Sequence, residues 1–238
     1  MNFNDTGTLI DWPLEDTDVI APLQNKQDGG SRGGVYLCIP NFEALPPPFA
    51  IKHGEYRMTP CDNTLPHRKT LAGTAEADWG KVEVITDWTE HAGLGGKVLT
   101  VSCRIRALSD IAWIRPGFHP YFSVSPGSVI DIGAEHIDIA EMPHDQLQVH
   151  HAASLAEPAT IRTADYTVAM TCGLSPLREG LCLAYGVWSD KSTEYVCIEP
   201  IIGCRFGADG LPAPFSLSEG EEFAMTFTIH AERLGFLK

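Results

Sequence analysis

Residues 99–107 read Leu99-Thr100-Val101-Ser102-Cys103-Arg104-Ile105-Arg106-Ala107. Apolar side chains take every odd position and polar ones every even position. A period of two is the period of a strand, with one set on a core face and the other outside. A helix, with 3.6 residues per turn, would scatter both sets around its axis. The same alternation returns near the end of the chain. There Phe223, Met225, Phe227 and Ile229 alternate with Ala224, Thr226, Thr228 and His230. Tyr166, Val168, Met170 and Cys172 repeat it, as do Leu181, Leu183, Tyr185 and Val187. Shorter runs at 34–39, 82–87, 129–132 and 194–199 also read as strands.

Helical signals are few. Residues 71–79 allow a turn or two, weakened by Gly73 and Gly80. The 22 glycines and 17 prolines punctuate the chain at the short intervals of a many-stranded protein. Two loops stand out, Asp28-Gly29-Gly30-Ser31-Arg32-Gly33-Gly34 and Leu45-Pro46-Pro47-Pro48. No composition break or fixed-period repeat divides the chain. Residues 1–238 therefore read as a single all-β domain, a large antiparallel sandwich with few short helices.

A hydrophobic fraction of 44% with 20% charged residues supports a sizeable core and excludes wholesale disorder. The net charge of −14 argues against nucleic acid or an anionic membrane surface as partner, because phosphate affinity comes from Lys and Arg. No segment approaches the ~18 consecutive apolar residues of a membrane-spanning helix. The first 18 residues carry acids, no Lys or Arg and no apolar stretch, so no secretory signal is expected. The seven cysteines are odd in number, form no Cys-x-x-Cys, and several sit in apolar runs. They read as buried reduced thiols, and the expected location is cytoplasmic.

The familiar metal and nucleophile motifs are missing. Gly29–Gly34 lacks the Gly-Lys-Ser/Thr of a phosphate loop, so a turn is the plainer reading. There is no His-Glu-x-x-His and no Gly-x-Ser-x-Gly. His150 and His151 are adjacent and would point to opposite faces of a strand. No metal or cofactor is expected. Two segments say more. In Gly117-Phe118-His119-Pro120-Tyr121-Phe122 an imidazole lies among aromatics beside a proline. Pro120 cannot donate to a ladder, which predicts a sheet edge or rim where His119 meets a cleft. The alternative is a histidine packed structurally in an aromatic cluster. In Tyr195-Val196-Cys197-Ile198-Glu199-Pro200 a glutamate ends an apolar strand. With Val196 and Ile198 facing the core, Tyr195, Cys197 and Glu199 line the other face. A carboxylate so placed suits a general base near neutrality; a glutamate paired with an arginine is the alternative.

Taken together, these segments resemble the aldose 1-epimerase (galactose mutarotase) family. Arg32-Gly33-Gly34 through Pro40-Asn41-Phe42 is similar to its early Arg-Gly-Gly segment, and Phe118–Phe122 to its His-Pro-Tyr-Phe signature. Trp188 through Pro200 resembles the segment ending in the family's glutamate. Leu217-Ser218-Glu219-Gly220-Glu221-Glu222 resembles its closing strand. Pro66-His67 followed by Trp79 is similar to the Pro-x-His-Gly-Phe…Trp region, with Arg68-Lys69 in place of Gly-Phe. Ser123 stands where an asparagine is common.

The resemblance implies a β-supersandwich fold and cofactor-independent interconversion of α and β anomers of an aldose. It assigns Glu199 as base and His119 as acid. It suggests His67, Arg32, Asp165 and Trp188 as sugar-binding residues, with Asp190 a rival to Asp165; Trp79 reads as core. The expected partner is a small-molecule sugar, an aldose or a sugar phosphate. Arg32 favours a hexose-6-phosphate mutarotase. The loss of the family's Gly-Phe-Ala-Arg-type arginine after His67, for which Arg68 and Lys69 are the available substitutes, and the −14 charge lean toward a neutral sugar. A carbohydrate-binding protein without turnover is the third reading.

Overall fold

The computed structural model describes residues 1–14, 17–25, 31–42, 53–62, 67–73, 79–93, 96–175, 179–190 and 194–234. Two eight-stranded antiparallel sheets dominate it. The first runs through Asn2–Phe3, Leu9–Asp11, Val35–Cys38, Gly117–Ser123, Tyr195–Phe206, Leu181–Trp188 and Gln148–His151 in that order, with Pro212–Ala213 added against Tyr195–Phe206. The second runs through Glu135–Asp138, Val129–Ile132, Ala159–Arg162, Tyr166–Ser175, Glu222–Arg233, Gly96–Ala107, Lys81–Gly93 and His67–Ala72. Among the described residues two short 3-10 turns, Tyr56–Met58 and Ile139–Glu141, are the helical elements between the strands. Among the described residues no helix is long and apolar enough to cross a membrane.

The alternating runs pair with one another. Leu99 faces Ile229, Val101 faces Phe227, Cys103 faces Met225 and Ile105 faces Phe223. All eight are buried, while Arg104 and Arg106 stand outside. Burying one such large apolar side chain contributes about 1.5–3 kcal/mol. A one-residue slip would turn the whole set to water, so this register is strongly specified. Across the core Phe118 stacks on Phe227 at 4.5 Å and 5°. That contact ties the centre of one sheet to the centre of the other.

Phe118 facing inward fixes which way His119 faces. The inner face of the first sheet carries Val35, Leu37, Phe118, Phe122, Val196 and Ile198. Its other face carries a separate cluster that includes Tyr36, Cys38, Tyr121, Tyr195 and Cys197, covered by Phe42 and Leu211. The segment 34–39 therefore forms a strand as expected, with both faces buried.

Three expectations change. Gly117–Ser123 is not an edge: it pairs with Val35–Cys38 on one side and Tyr195–Phe206 on the other. The proline is accommodated by a break in the ladder. Pairing with Tyr195–Phe206 is present at Gly117↔Ile201 and resumes at Tyr121↔Cys197. The interruption falls where Pro120 has no N–H to give. Residues 71–72 belong to a strand rather than a helix, and 74–78 lie outside the described residues. In the Asp28–Gly34 loop, residues 28–30 are likewise outside, while Ser31–Arg32 pairs with Gln24–Asn25. The Leu45–Pro48 loop also lies outside them. All seven cysteines are free thiols.

Candidate functional site

The register that skips Pro120 places His119 directly across from Glu199, with Gly117↔Ile201 on one side and Tyr121↔Cys197 on the other. In that gap the strands are joined by side chains: His119 Nε2 lies 2.8 Å from Glu199 Oε1, and both side chains are at least 96% buried. The same cross-strand row continues in both directions. Tyr36 sits opposite His119, and Gly186 sits opposite Glu199. Gly186 gives the carboxylate its room, because a Cβ there would lie 3.1 Å from Glu199 Oε2 and 2.9 Å from Leu147 Cδ1.

The imidazole is held between rings. Tyr36 stacks on one side at 4.8 Å and 24°, Tyr121 at 4.7 Å and 17°, and His53 meets it edge-on at 4.8 Å and 87°. Burial pushes both phenols well above their usual range, and the nearby Glu199 carboxylate pushes the same way. They therefore remain protonated donors and keep the histidine in one orientation.

His119 and Glu199 form the floor of a cleft of about 190 Å³, also lined by Arg32, Tyr36, His53, Arg57, Tyr121, Leu147 and Trp188. Two guanidiniums define its charge. Arg57 lies over the Tyr36 ring, its Cζ 5.4 Å from the centroid, and donates to Tyr36 Oη at 3.4 Å. Arg32 lies over Trp188 at 5.3 Å. Against a net charge of −14 for the chain, this cleft gathers two cations around one carboxylate.

Backbone geometry aims these groups. Gly33 follows Arg32 at φ 89°, and a Cβ there would sit 2.0 Å from the carbonyl oxygen of Pro22. Only glycine fits this close approach, which explains the glycine after the arginine. His53 and Gly54 both take left-handed backbone, at φ 66° and 65°. That reverses the chain so that His53 and Arg57 reach the same cleft. For a non-glycine residue this conformation is strained, a cost found at sites where side-chain direction matters.

The sequence-predicted residues divide. His119, Glu199, Arg32 and Trp188 come together. His67 does not: it begins an edge strand of the other sheet, its ring 5.5 Å from Phe3, and burial and Lys69 hold its pKa below the usual range. Asp165 sits in the turn after Thr163, whose hydroxyl accepts from its N–H at 3.1 Å, and it is not among the cleft residues. The turn-capping reading accounts for it. Asp190 accepts a hydrogen bond from Tyr195 Oη beside the cleft. Trp79 is buried in the core. His150 and His151 do diverge, the first to Glu135 at 2.6 Å and the second onto Phe206 at 3.6 Å.

His53 and Arg57 were missed. Their signal was present in His53-Gly54-Glu55-Tyr56-Arg57, which supplies the His-Gly pair that the Pro66-His67 segment lacks, with an arginine four residues after the histidine.

His119, Cys197 and Glu199 each offer one donor atom, all within 4.8 Å of one another. They are the residues that could approach a metal ion. Burial, then the Glu199 charge, pushes the Cys197 thiol well above its usual range.

No family model matches the chain, and neither does the sequence of any curated protein. Solved structures do match. A Synechocystis protein, 14% identical, aligns over 96% of this chain and 89% of its own length with a TM-score of 0.67. An Escherichia coli protein provisionally named an aldose 1-epimerase is 14% identical over 97% and 94%, with a TM-score of 0.56. A galactose mutarotase-like protein from Clostridium acetobutylicum is 11% identical over 97% and 91%, with a TM-score of 0.57. With two large antiparallel sheets and these neighbours, the chain has the galactose mutarotase-like β-supersandwich fold.

Proposed function

We propose that the protein is a mutarotase, interconverting the α and β anomers of an aldose by acid–base ring opening and closure. One observation carries the reading: an imidazole nitrogen and a carboxylate oxygen stand 2.8 Å apart on the floor of a cleft of monosaccharide scale. The hemiacetal oxygens O1 and O5 share one carbon, so an acid and a base acting on them must converge on one small region, and this pair, now in direct contact, must part to admit the two oxygens. Bound sugar exchanges the His119–Glu199 hydrogen bond for one bond to each partner. Glu199 takes the O1 proton as His119 gives a proton to O5, and the C1–O5 bond breaks. The aldehyde turns about C1–C2. His119 then recovers the O5 proton while Glu199 returns its own to O1, and the ring recloses on either face. Each residue ends as it began, so the cycle needs no outside proton. Trp188 offers an aromatic surface to the pyranose.

A second reading concerns the substrate. Arg32 and Arg57 line the same cleft as the acid–base pair, which favours a sugar bearing an anionic substituent such as a phosphate. The test is anomer exchange by NMR with glucose, galactose and their 6-phosphates. Acceleration for none of them sinks the mutarotase reading and leaves a sugar-binding protein. Equal acceleration of the neutral and phosphorylated sugars removes the anionic preference.

A further inference from the structure

Two donors on the floor of the cleft, His119 and Glu199, lie beside a third, Cys197, packed among residues that line it. Cys197 is completely buried on the site-bearing face, in register with Tyr121 on one side and Trp188 on the other. Both neighbours line the cleft. Cys197 also precedes Glu199 by two positions on one strand, so their side chains leave the same face. His119 completes the group from the adjoining strand, and all three donor atoms fall within a sphere of 4.8 Å separation.

We propose that this floor is a binding site for Zn2+, formed by His119, Cys197 and Glu199, and that the bound ion excludes sugar. The proposal concerns the same cleft as the mutarotase reading but stands on the donor geometry alone. A tetrahedral zinc ion with its usual bond lengths holds such ligand atoms about 3.3–3.6 Å apart. The His119–Glu199 pair at 2.8 Å must open slightly, and the thiol must close in from within 4.8 Å. The set is imidazole, thiolate and carboxylate, which suits zinc; calcium and magnesium demand oxygen ligands that are not gathered here.

The charges balance. Cys197 releases its proton to solvent as the metal–sulfur bond forms, and no oxidation state changes. His119 likewise gives up the Nε2 proton that it donates to Glu199, and the lone pair so freed takes the metal. Thiolate and carboxylate together cancel the two charges of the ion. Arg32 and Arg57 oppose the cation, but across a solvated cleft their repulsion is weaker than contact with two anionic ligands. Coordination occupies both groups that would work on the hemiacetal, so zinc and sugar compete.

Cobalt(II) supplies a readout independent of activity. The purified protein titrated with Co2+ should show a near-ultraviolet sulfur-to-cobalt charge-transfer band saturating at one equivalent and displaced by Zn2+. In Cys197→Ser the band should vanish, and Zn2+ affinity by calorimetry should fall at least tenfold. Anomer exchange, where present, should persist in that variant and no longer respond to zinc. No thiolate band, or a band and zinc affinity unchanged in Cys197→Ser, overturns the proposal; the latter outcome would place the metal at another thiol such as Cys61. If Cys197→Ser does not fold, Glu199→Gln keeps the thiol and must weaken Co2+ at least tenfold, and unchanged affinity there overturns the site equally. Absence of mutarotation leaves the cobalt spectrum standing, and absence of the band leaves mutarotation standing.

Discussion

Gly186→Ala isolates the position of the carboxylate from its chemistry. The new methyl would lie 3.1 Å from Glu199 Oε2, 2.9 Å from Leu147 Cδ1 and 3.4 Å from Ile201 Cδ1. The two contacts nearest to failure differ in kind. Leu147 Cδ1 is the end of a flexible side chain and can turn away. The carboxylate is tied to His119 at 2.8 Å and can retreat only by giving up that bond. Overpacking a buried site costs about 1–3 kcal/mol. Replacing glycine by alanine in extended backbone returns about 0.4–1 kcal/mol through the unfolded chain. The net stability loss should therefore be about 1–2 kcal/mol, measurable by urea unfolding. The rate should fall as well: the contact asks the carboxylate to give by a fraction of an ångström, and a displacement of about 1 Å would cost on the order of 100-fold. We expect kcat for anomer exchange to fall roughly three- to tenfold. Adding Leu147→Ala should recover stability by opening space for the methyl while leaving kcat low. Wild-type kcat in Gly186→Ala, or recovery of kcat along with stability in the double variant, would refute the idea that this glycine sets the carboxylate.

Three further outcomes are expected. Glu199→Gln and His119→Asn should each lower turnover at least ~100-fold with the fold intact by circular dichroism, the lower scale of general acid–base contributions; near-normal exchange in both would reject the pair. Arg32→Gln and Arg57→Gln should each raise KM for a sugar 6-phosphate about tenfold or more and leave a neutral aldose nearly unaffected, as loss of a charge-assisted hydrogen bond of about 1.5–3 kcal/mol requires. Alkaline pH should destabilise the protein. Burial pushes the thiols of Cys103 and Cys172 up to about 12 from a usual 9. Their folded values are raised, so their contribution is complete below pH 9 and is lost as pH climbs toward 12. Each should cost about 1.4 kcal/mol per pH unit in that window. Lys69, lowered by burial to about 8 from 10.5, works the other way between those values. Denaturant unfolding of Cys103→Ala at pH 9 and 11 should therefore show a slope shallower by one proton, and a slope equal to wild type would contradict this account.

What could be read in the sequence was whatever depended on a local period. The alternation in 99–107 and 223–230 gave strands and faces, because one set of side chains must meet the core; that these two strands pair with each other is seen only in the fold. Glu199 was legible for the same reason: Val196 and Ile198 claim the core, so the carboxylate takes the other face. Pro120 misled, since the rule that proline belongs at edges assumes an unbroken ladder. Here the break is filled by the His119–Glu199 contact instead of backbone bonds. His53 and Arg57 were hidden because their approach depends on left-handed backbone at 53 and 54, a feature no hydrophobic pattern reports. His67 was the converse error: a histidine at a plausible distance from a tryptophan, but on the wrong sheet.

The displaced histidine also changes how charge bears on the substrate. A net −14 spread over the chain acts on a ligand from many directions, and salt screens such effects beyond about 8–10 Å. It slows the approach of an anion and does little once the anion has arrived. Arg32 and Arg57 act inside the cleft, each seated over an aromatic face that holds it in place. Guanidiniums so fixed lose little freedom on binding, so more of each hydrogen bond remains as affinity. The overall charge should therefore appear in the salt dependence of the association rate, and the arginine pair in the discrimination between neutral and anionic sugars. Those are separate measurements, and it is the second that decides the substrate.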